Sequence, residues 1–205
     1  MDKSIETKKR ILFAASELFS IKSYDTITMR EIAKRANCSH TTIYLYYKDK
    51  SDLLEKLAIP PLLTLAKRID RIRSRKTLDP LGKLKVIGRG MINFSIENRS
   101  LYLTYITVNS IKVDEDDFSS EINAVRNSLF NSLKKVILLN NPYLTEEEAL
   151  KYGRMIFFQI HGTIMSYINS NEEGLSIRQR VIPILEEALE FLIQGILDKA
   201  GPQIK

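Results

Sequence analysis

Residues 28–57 read TMREIAKRANCSHTTIYLYYKDKSDLLEKL, and this stretch decides the fold. Thr28 and Glu31 have the spacing of a capping box, in which the hydroxyl accepts from the third amide of a helix and the carboxylate reaches back to the cap. The short helix that follows turns Ile32, Ala33 and Ala36 to one side. Asn37 tolerates the left-handed backbone that ends helices. Ser39 then suits the N-cap of a third helix, with Ile43 and Tyr47 four apart and facing inward. Asp49-Lys50-Ser51-Asp52 caps a fourth helix backed by Leu53, Leu54 and Leu57. Two short helices joined by a tight turn form a helix-turn-helix candidate. In that motif the first helix braces against the DNA backbone, and the second lies in the major groove with its N-terminal residues at base edges. The residues left outside here are His40, Thr41, Thr42, Tyr44, Leu45 and Tyr46. Lys50 stands at the next helix start, where backbone amides and the helix dipole favour phosphate.

Helical spacing continues on both sides. Upstream, Ile11, Ala15, Leu18 and Phe19 share one face of a helix over about 5–21, and Tyr24-Asp25-Thr26 reads as a turn. Downstream, Pro60-Pro61 lacks two amide donors, and each ring clashes with the carbonyl four residues back, which predicts a break or sharp kink near Ala58–Pro60. The pattern resumes to about Arg75 with a basic stretch of Lys67, Arg68, Arg71, Arg73, Arg75 and Lys76. Asp79-Pro80 starts another helix. Helices are expected at about 80–97, 100–112, 118–140, 146–169 and 177–199, with capping boxes at Thr145…Glu148 and Ser176…Gln179. The acidic run Asp114–Asp117 reads as a loop or an exposed helix start.

The 205 residues are 44% hydrophobic and 27% charged, an ordinary globular balance. No window approaches the roughly 18 apolar residues of a membrane span. The run Ile11–Ala15 is too short for a secretion signal, so a soluble, cytoplasmic protein is expected. Cys38 stands alone, which excludes an internal disulfide and a Cys-rich zinc site, and His40 and His161 leave little for a metal centre. No cofactor is expected. The chain carries no GxSxG, HExxH, P-loop or GxGxxG pattern, so an enzyme is not expected. Residues 1–77 hold 17 basic and 9 acidic side chains, net +8, whereas 78–205 hold 14 and 16, net −2. A basic N-terminal part on a near-neutral remainder points to a polyanion met by one part only.

Residues 7–57 closely resemble the DNA-binding domain of the TetR family of bacterial transcriptional regulators. The resemblance lies in ILxAAxxLF of the first helix, TMREIAKRA of the second, TxYxYY of the recognition helix and DKSDLL at the start of the fourth. Departures are Asn37 and Thr41, where the family usually has glycine, and Pro60-Pro61 in a helix usually continuous. The resemblance implies that Thr28, Thr42, Tyr44, Tyr46 and Lys50 contact phosphates while Arg30, His40 and Thr41 face base edges. Leu45 is a weaker candidate for a thymine methyl. Ile43, Tyr47 and Cys38 read as core. A helix N-terminus can lower a thiol pKa, but a lone Cys38 has no resolving partner.

The last two helices are apolar over more than one stripe, and one stripe suffices for a monomer's core. A second therefore points to a partner helix. The resemblance implies a homodimer through a four-helix bundle, with Ile160, Ile164, Leu185, Leu189, Leu192 and Ile196 as interface residues. It also implies a small-molecule effector pocket within 80–170, for which Met91, Phe94, Tyr102, Tyr105, Phe158 and His161 are candidates. The expectation is an all-α protein of about nine helices. Residues 1–50 form a three-helix DNA-binding domain, 51–77 a linking helix kinked near Pro60-Pro61, and 78–205 an effector and dimerisation domain. The expected function is a repressor released from a palindromic operator by a small molecule. The alternative is a DNA-bound adaptor whose C-terminal domain binds a protein.

Overall fold

A computed structural model describes residues 3–22, 24–107 and 121–200. Among these, all regular structure is helical: α1 (Lys3–Ile21), α2 (Met29–Arg35), α3 (His40–Tyr44), α4 (Lys50–Arg73), α5 (Pro80–Glu97), α6 (Arg99–Thr107), α7 (Glu121–Asn140), α8 (Glu146–Tyr167) and α9 (Gly174–Ala200). A single 3₁₀ turn, Tyr24–Thr26, precedes α2. The acidic run Asp114–Asp117 and the expected helical residues 108–112 and 118–120 lie outside the described residues. No described helix is long and apolar enough to cross a membrane.

The described residues pack as two compact units. The first takes 3–61 and 98–107, the second 62–97 and 121–200. The boundary lies inside α4, between Pro61 and Leu62, and α6 belongs to the first unit. There the Ser100 hydroxyl donates to the Phe19 carbonyl, and Leu101 packs on the first core.

That first core joins Ile11, Ala14, Ala15, Leu18 and Phe19 of α1 to Ile32, Ala33 and Ala36, to Ile43 and Tyr47, and to Leu53 and Leu54 of α4. Helices of seven and five residues do not hold in water by themselves. Burial holds them here, each fully buried Ile, Leu or Phe contributing about 1.5–3 kcal/mol. Between α2 and α3 the chain turns on Asn37, with φ of 52°. The Cys38 amide donates to the Ala33 carbonyl at 3.0 Å and the Asn37 amide to the Lys34 carbonyl at 3.2 Å, the paired bonds of a Schellman cap. At Thr28 the hydroxyl accepts the Glu31 amide at 3.2 Å, and the Glu31 carboxylate takes the Lys22 ammonium at 2.5 Å as well as the Thr28 backbone amide, both of which lower its pKa. The box at Thr145 and Glu148 is complete.

The break expected at Pro60-Pro61 is not formed: α4 runs through both prolines. Buried Ala58 and Ile59 on one side and Leu62, Leu65, Ile69 and Ile72 on the other anchor the backbone where the two amide donors are missing.

In the second unit α5 and α9 run antiparallel at close range. A Cβ at Gly88 would lie 3.1 Å from Leu185 Cδ2 and 3.3 Å from Leu189 Cδ1. Ion pairs Lys85–Glu190, Arg89–Glu186 and Arg178–Glu97 mark the register along the two helices. Helix α9 begins at Gly174, three residues before the expected start, so Ser176 lies in its first turn rather than at a cap. A Cβ at Gly174 would stand 2.8 Å from Ile96 Cγ2, an approach that only glycine allows.

The Tyr47 side chain is fully buried, and its hydroxyl has no hydrogen-bond partner among the described residues. Burial, with the Asp52 carboxylate nearby, pushes its pKa up to about 12. The neutral form is thus favoured in the fold, and the stability tied to it is lost as pH rises from the unfolded value near 10 through 12. Tyr47→Phe removes an unsatisfied polar group. It should leave denaturant stability at pH 7 unchanged or raised by about 1 kcal/mol, and should reduce the loss of stability above pH 10. A fall of more than that at pH 7 would show that the hydroxyl is bonded.

Candidate nucleic-acid interface

The outward side of the α2–α3 pair is polar and reachable. Thr28, Arg30, His40, Thr41 and Tyr44 are exposed, and Thr42 and Tyr46 are half-buried. Their positions follow from the caps. Ser39 has extended backbone and accepts the Thr42 amide at 2.9 Å, so α3 starts at His40 and turns Ile43 into the core. The opposite residues face out. The His40 ring meets Tyr44 edge-on at 5.1 Å, which holds two of the candidate contacts together. An open groove of about 530 Å³ between the helices is lined by Arg30, Lys34, Asn37, Cys38, Ser39 and His40 among others. Leu45 is 81% exposed, an apolar side chain presented to solvent at the end of α3. Cys38 is only partly buried, and burial pushes its thiol up rather than down, the Arg10 charge offsetting part of this. A low-pKa reactive thiol is not formed here.

Lys50 departs from its expected place. Its ammonium donates to the carbonyls of Tyr24 at 2.6 Å and Ile27 at 2.8 Å, and lies 4.1 Å from the Tyr24 ring centre. Lys50 is half-buried, its ammonium drawn onto the turn before α2. Sequence reasoning missed this because the two carbonyls belong to residues more than twenty positions away.

The sequence profile of bacterial regulatory proteins of the tetR family matches residues 11–57, the same helices that build this interface. Over nearly the whole chain, an uncharacterized HTH-type transcriptional regulator of Bacillus subtilis (strain 168), YdgC, is 33% identical across 201 residues, covering 97% of this chain and 88% of the relative. The chain belongs to the TetR family. It is a DNA-binding transcriptional regulator. The fatty acid metabolism regulator protein of the same organism is 23% identical over 193 residues, 93% of this chain and 95% of that protein. The crystal structure of FadR from Bacillus subtilis in complex with stearoyl-CoA has the same fold, with a TM-score of 0.66 at 21% identity, over 91% of this chain and 98% of that one.

Of the six residues expected to line an effector pocket, Met91, Phe94, Phe158 and His161 belong to the second unit and Tyr102 to the first. Met91 and Phe94 are buried on α5, and half-buried His161 stacks on Phe157 at 5.5 Å, where burial pushes its pKa down. Tyr102 is buried in the first unit, and Phe158 is 59% exposed on α8. The Tyr105 side chain lies outside the described residues. The exposed Phe158 ring meets the buried Phe157 ring edge-on at 6.2 Å. Periodicity did not single out the polar row on α7, where Asn123, Arg126 and Asn127 are buried. Arg126 Nη1 donates to Asn123 Oδ1 at 3.2 Å, and Asn131 donates to Asn127 Oδ1 at 2.6 Å. The available signal was Asn123, Arg126, Asn127 and Asn131 at helical spacing along one side of the helix.

Most of the expected dimer residues are buried within the single chain. Ile160, Ile164, Leu185, Leu189 and Ile196 are core, at 0 to 4% exposure, and Leu192 is half-buried. The second stripe exists, but it consists of Met155, Phe158, Gly162 and Met165 on α8 and Ile184, Ala188, Phe191 and Gly195 on α9. Phe191 is 71% exposed, beside a groove of about 350 Å³ that Met155, Leu192 and Gly195 also line. The more apolar of the two stripes is the one that a monomer must bury. Leu189→Glu should therefore destabilise the fold by several kcal/mol (about 3 or more) at any protein concentration, whereas Phe191→Glu should leave a folded chain whose loss of stability is only what association supplied and fades on dilution of the wild type. Denaturant unfolding of both variants and the wild type at several protein concentrations checks this assignment. Equal losses at the lowest concentration would put Phe191 in the core.

Proposed function

We propose that this protein is a homodimeric repressor that binds a near-palindromic operator and is released from it by a long-chain acyl-CoA. The observation that carries the DNA side is the α2–α3 pair, locked by the Schellman turn, with Arg30, His40 and Thr41 outward toward base edges. Thr28, Thr42, Tyr44 and Tyr46 are then the phosphate contacts. Phosphate contacts position the protein and base contacts specify the sequence.

The outer stripe of α8 and α9 supports the dimer. Residues 155, 158, 162 and 165, and 184, 188, 191 and 195, recur at helical spacing with nothing polar between them on that line. A Cβ added at Gly162 or Gly195 would meet nothing within 4 Å in the chain itself, so the small side chains leave room for a second copy's helices. Two heads then read half-sites about one helical turn, roughly 34 Å, apart or somewhat wider.

Likeness along almost the whole chain to a fatty acid metabolism regulator, and in fold to a regulator solved with stearoyl-CoA, supports the choice of effector class. In this reading the interior of the second unit, with Met91, Phe94 and the His161–Phe157 stack, takes the acyl chain. The buried Arg126 row meets the polar part of the ligand. Helix α4 belongs to both units and carries the change, which requires the ligand to bind the released state more tightly.

Wild-type protein at micromolar concentration should scatter light as a dimer, and Phe191→Glu as a folded monomer with weak DNA binding. A monomeric wild type would overturn the dimer. On a duplex selected from a random pool, His40→Ala should relax preference at one base position by about 1–3 kcal/mol. Stearoyl-CoA should release the duplex from wild type, with coenzyme A alone as the control. No release by any acyl-chain length would leave the DNA reading intact and remove the effector reading in favour of a protein partner.

A further inference from the structure

We propose that Lys50 is a positioning residue for DNA binding: it pins the turn that leads into α2 onto the first residue of α4, and does not itself hold a phosphate. The geometry is that of an internal clamp. Two of the three ammonium donors are committed to main-chain carbonyls, Tyr24 at 2.6 Å and Ile27 at 2.8 Å. The ammonium also lies 4.1 Å from the centre of the Tyr24 ring, which Phe19 stacks against at 5.8 Å. Charged N–H donors make the stronger class of hydrogen bond, and a flexible four-carbon stem lets one side chain reach across two segments.

What the clamp holds matters for DNA. Both carbonyls lie just before Thr28, the N-cap of α2. The Ile27 side chain is buried in the same core, and its amide donates to the Tyr24 carbonyl at 3.3 Å. Helix α3 follows α2 through the Asn37 turn. Lys50 therefore sets where the whole reading pair begins relative to α4. Without the clamp the turn is ordered only when DNA is met, and that ordering is charged against affinity. The contacts finally made are the same, so the number of counterions released is the same.

Salt dependence separates the two roles. Each phosphate contact contributes about 0.9 to the slope of log K against log salt. Full-length wild type, Lys50→Met and Lys50→Arg are titrated against a duplex selected on the wild type, over a series of potassium chloride concentrations. The temperature is kept well below every variant's melting midpoint, where a merely less stable variant binds as wild type does. Lys50→Met should bind about tenfold more weakly at every salt concentration, on a line parallel to wild type. Lys50→Arg should restore binding, since a guanidinium also donates to two carbonyls. A slope shallower by about one, or an unchanged affinity, would overturn the proposal.

A second measurement needs no variant. On reductive methylation of the wild-type chain, read by mass spectrometry, Lys50 should react slowly with and without DNA, while exposed Lys48 reacts quickly in the free protein. A Lys50 that reacts as fast as Lys48 and is protected only by DNA would show a phosphate ligand and overturn the clamp.

Discussion

The reading helix has five residues, and a helix of that length has no stability of its own. Everything that this protein presents to DNA depends on burying one side of that helix. Ile43 and Tyr47 do so, at 0% and 1% exposure, within a core shared with α1, α2 and α4. The turn before it is held by two main-chain bonds around a left-handed Asn37, and the cap after the turn by the Ser39 hydroxyl. Of these groups, Ile43 and Tyr47 are turned wholly inward. They make it possible for Arg30, His40, Thr41 and Tyr44 to be polar, because no outward residue is needed for the fold.

A different constraint shapes the second unit. There α5 and α9 approach closely enough that a Cβ at Gly88 would press on Leu185 and Leu189 and one at Gly174 would clash with Ile96, and the ion pairs between them are too exposed to contribute more than about 1 kcal/mol each. Helix contact at that range is bought with small residues and aliphatic rows. Once the rows Leu185–Leu189–Ile196 and Ile156–Ile160–Ile164 are used in this way, α8 and α9 still carry apolar side chains that the chain itself does not cover. The surplus sits on one outer face, in the same two helices. The buried Arg126 on α7 is the opposite anomaly, a permanent charge held in the interior beside the amides of Asn123 and Asn127.

The sequence by itself determined the helical architecture, the helix-turn-helix and most of its core. Caps, turn residues and the spacing of apolar side chains are local signals, and Thr28, Asn37, Ser39, Ile43 and Thr145 do what their chemistry dictates within a few residues of themselves. Tertiary structure decided the rest, because the partners are distant in the chain. It chose which of two apolar stripes on α8 and α9 is core, since both satisfy the same period and only packing against α5 and α7 distinguishes them. Helix α4 continues through Pro60-Pro61 because buried neighbours on both sides offset the lost donors. Phe158 was placed outward and Phe157 inward by the same packing. The Lys50 ammonium meets carbonyls at positions 24 and 27, and the Glu31 carboxylate meets Lys22 in addition to its own helix cap. In each case a contact from far along the chain settled what short-range rules left open.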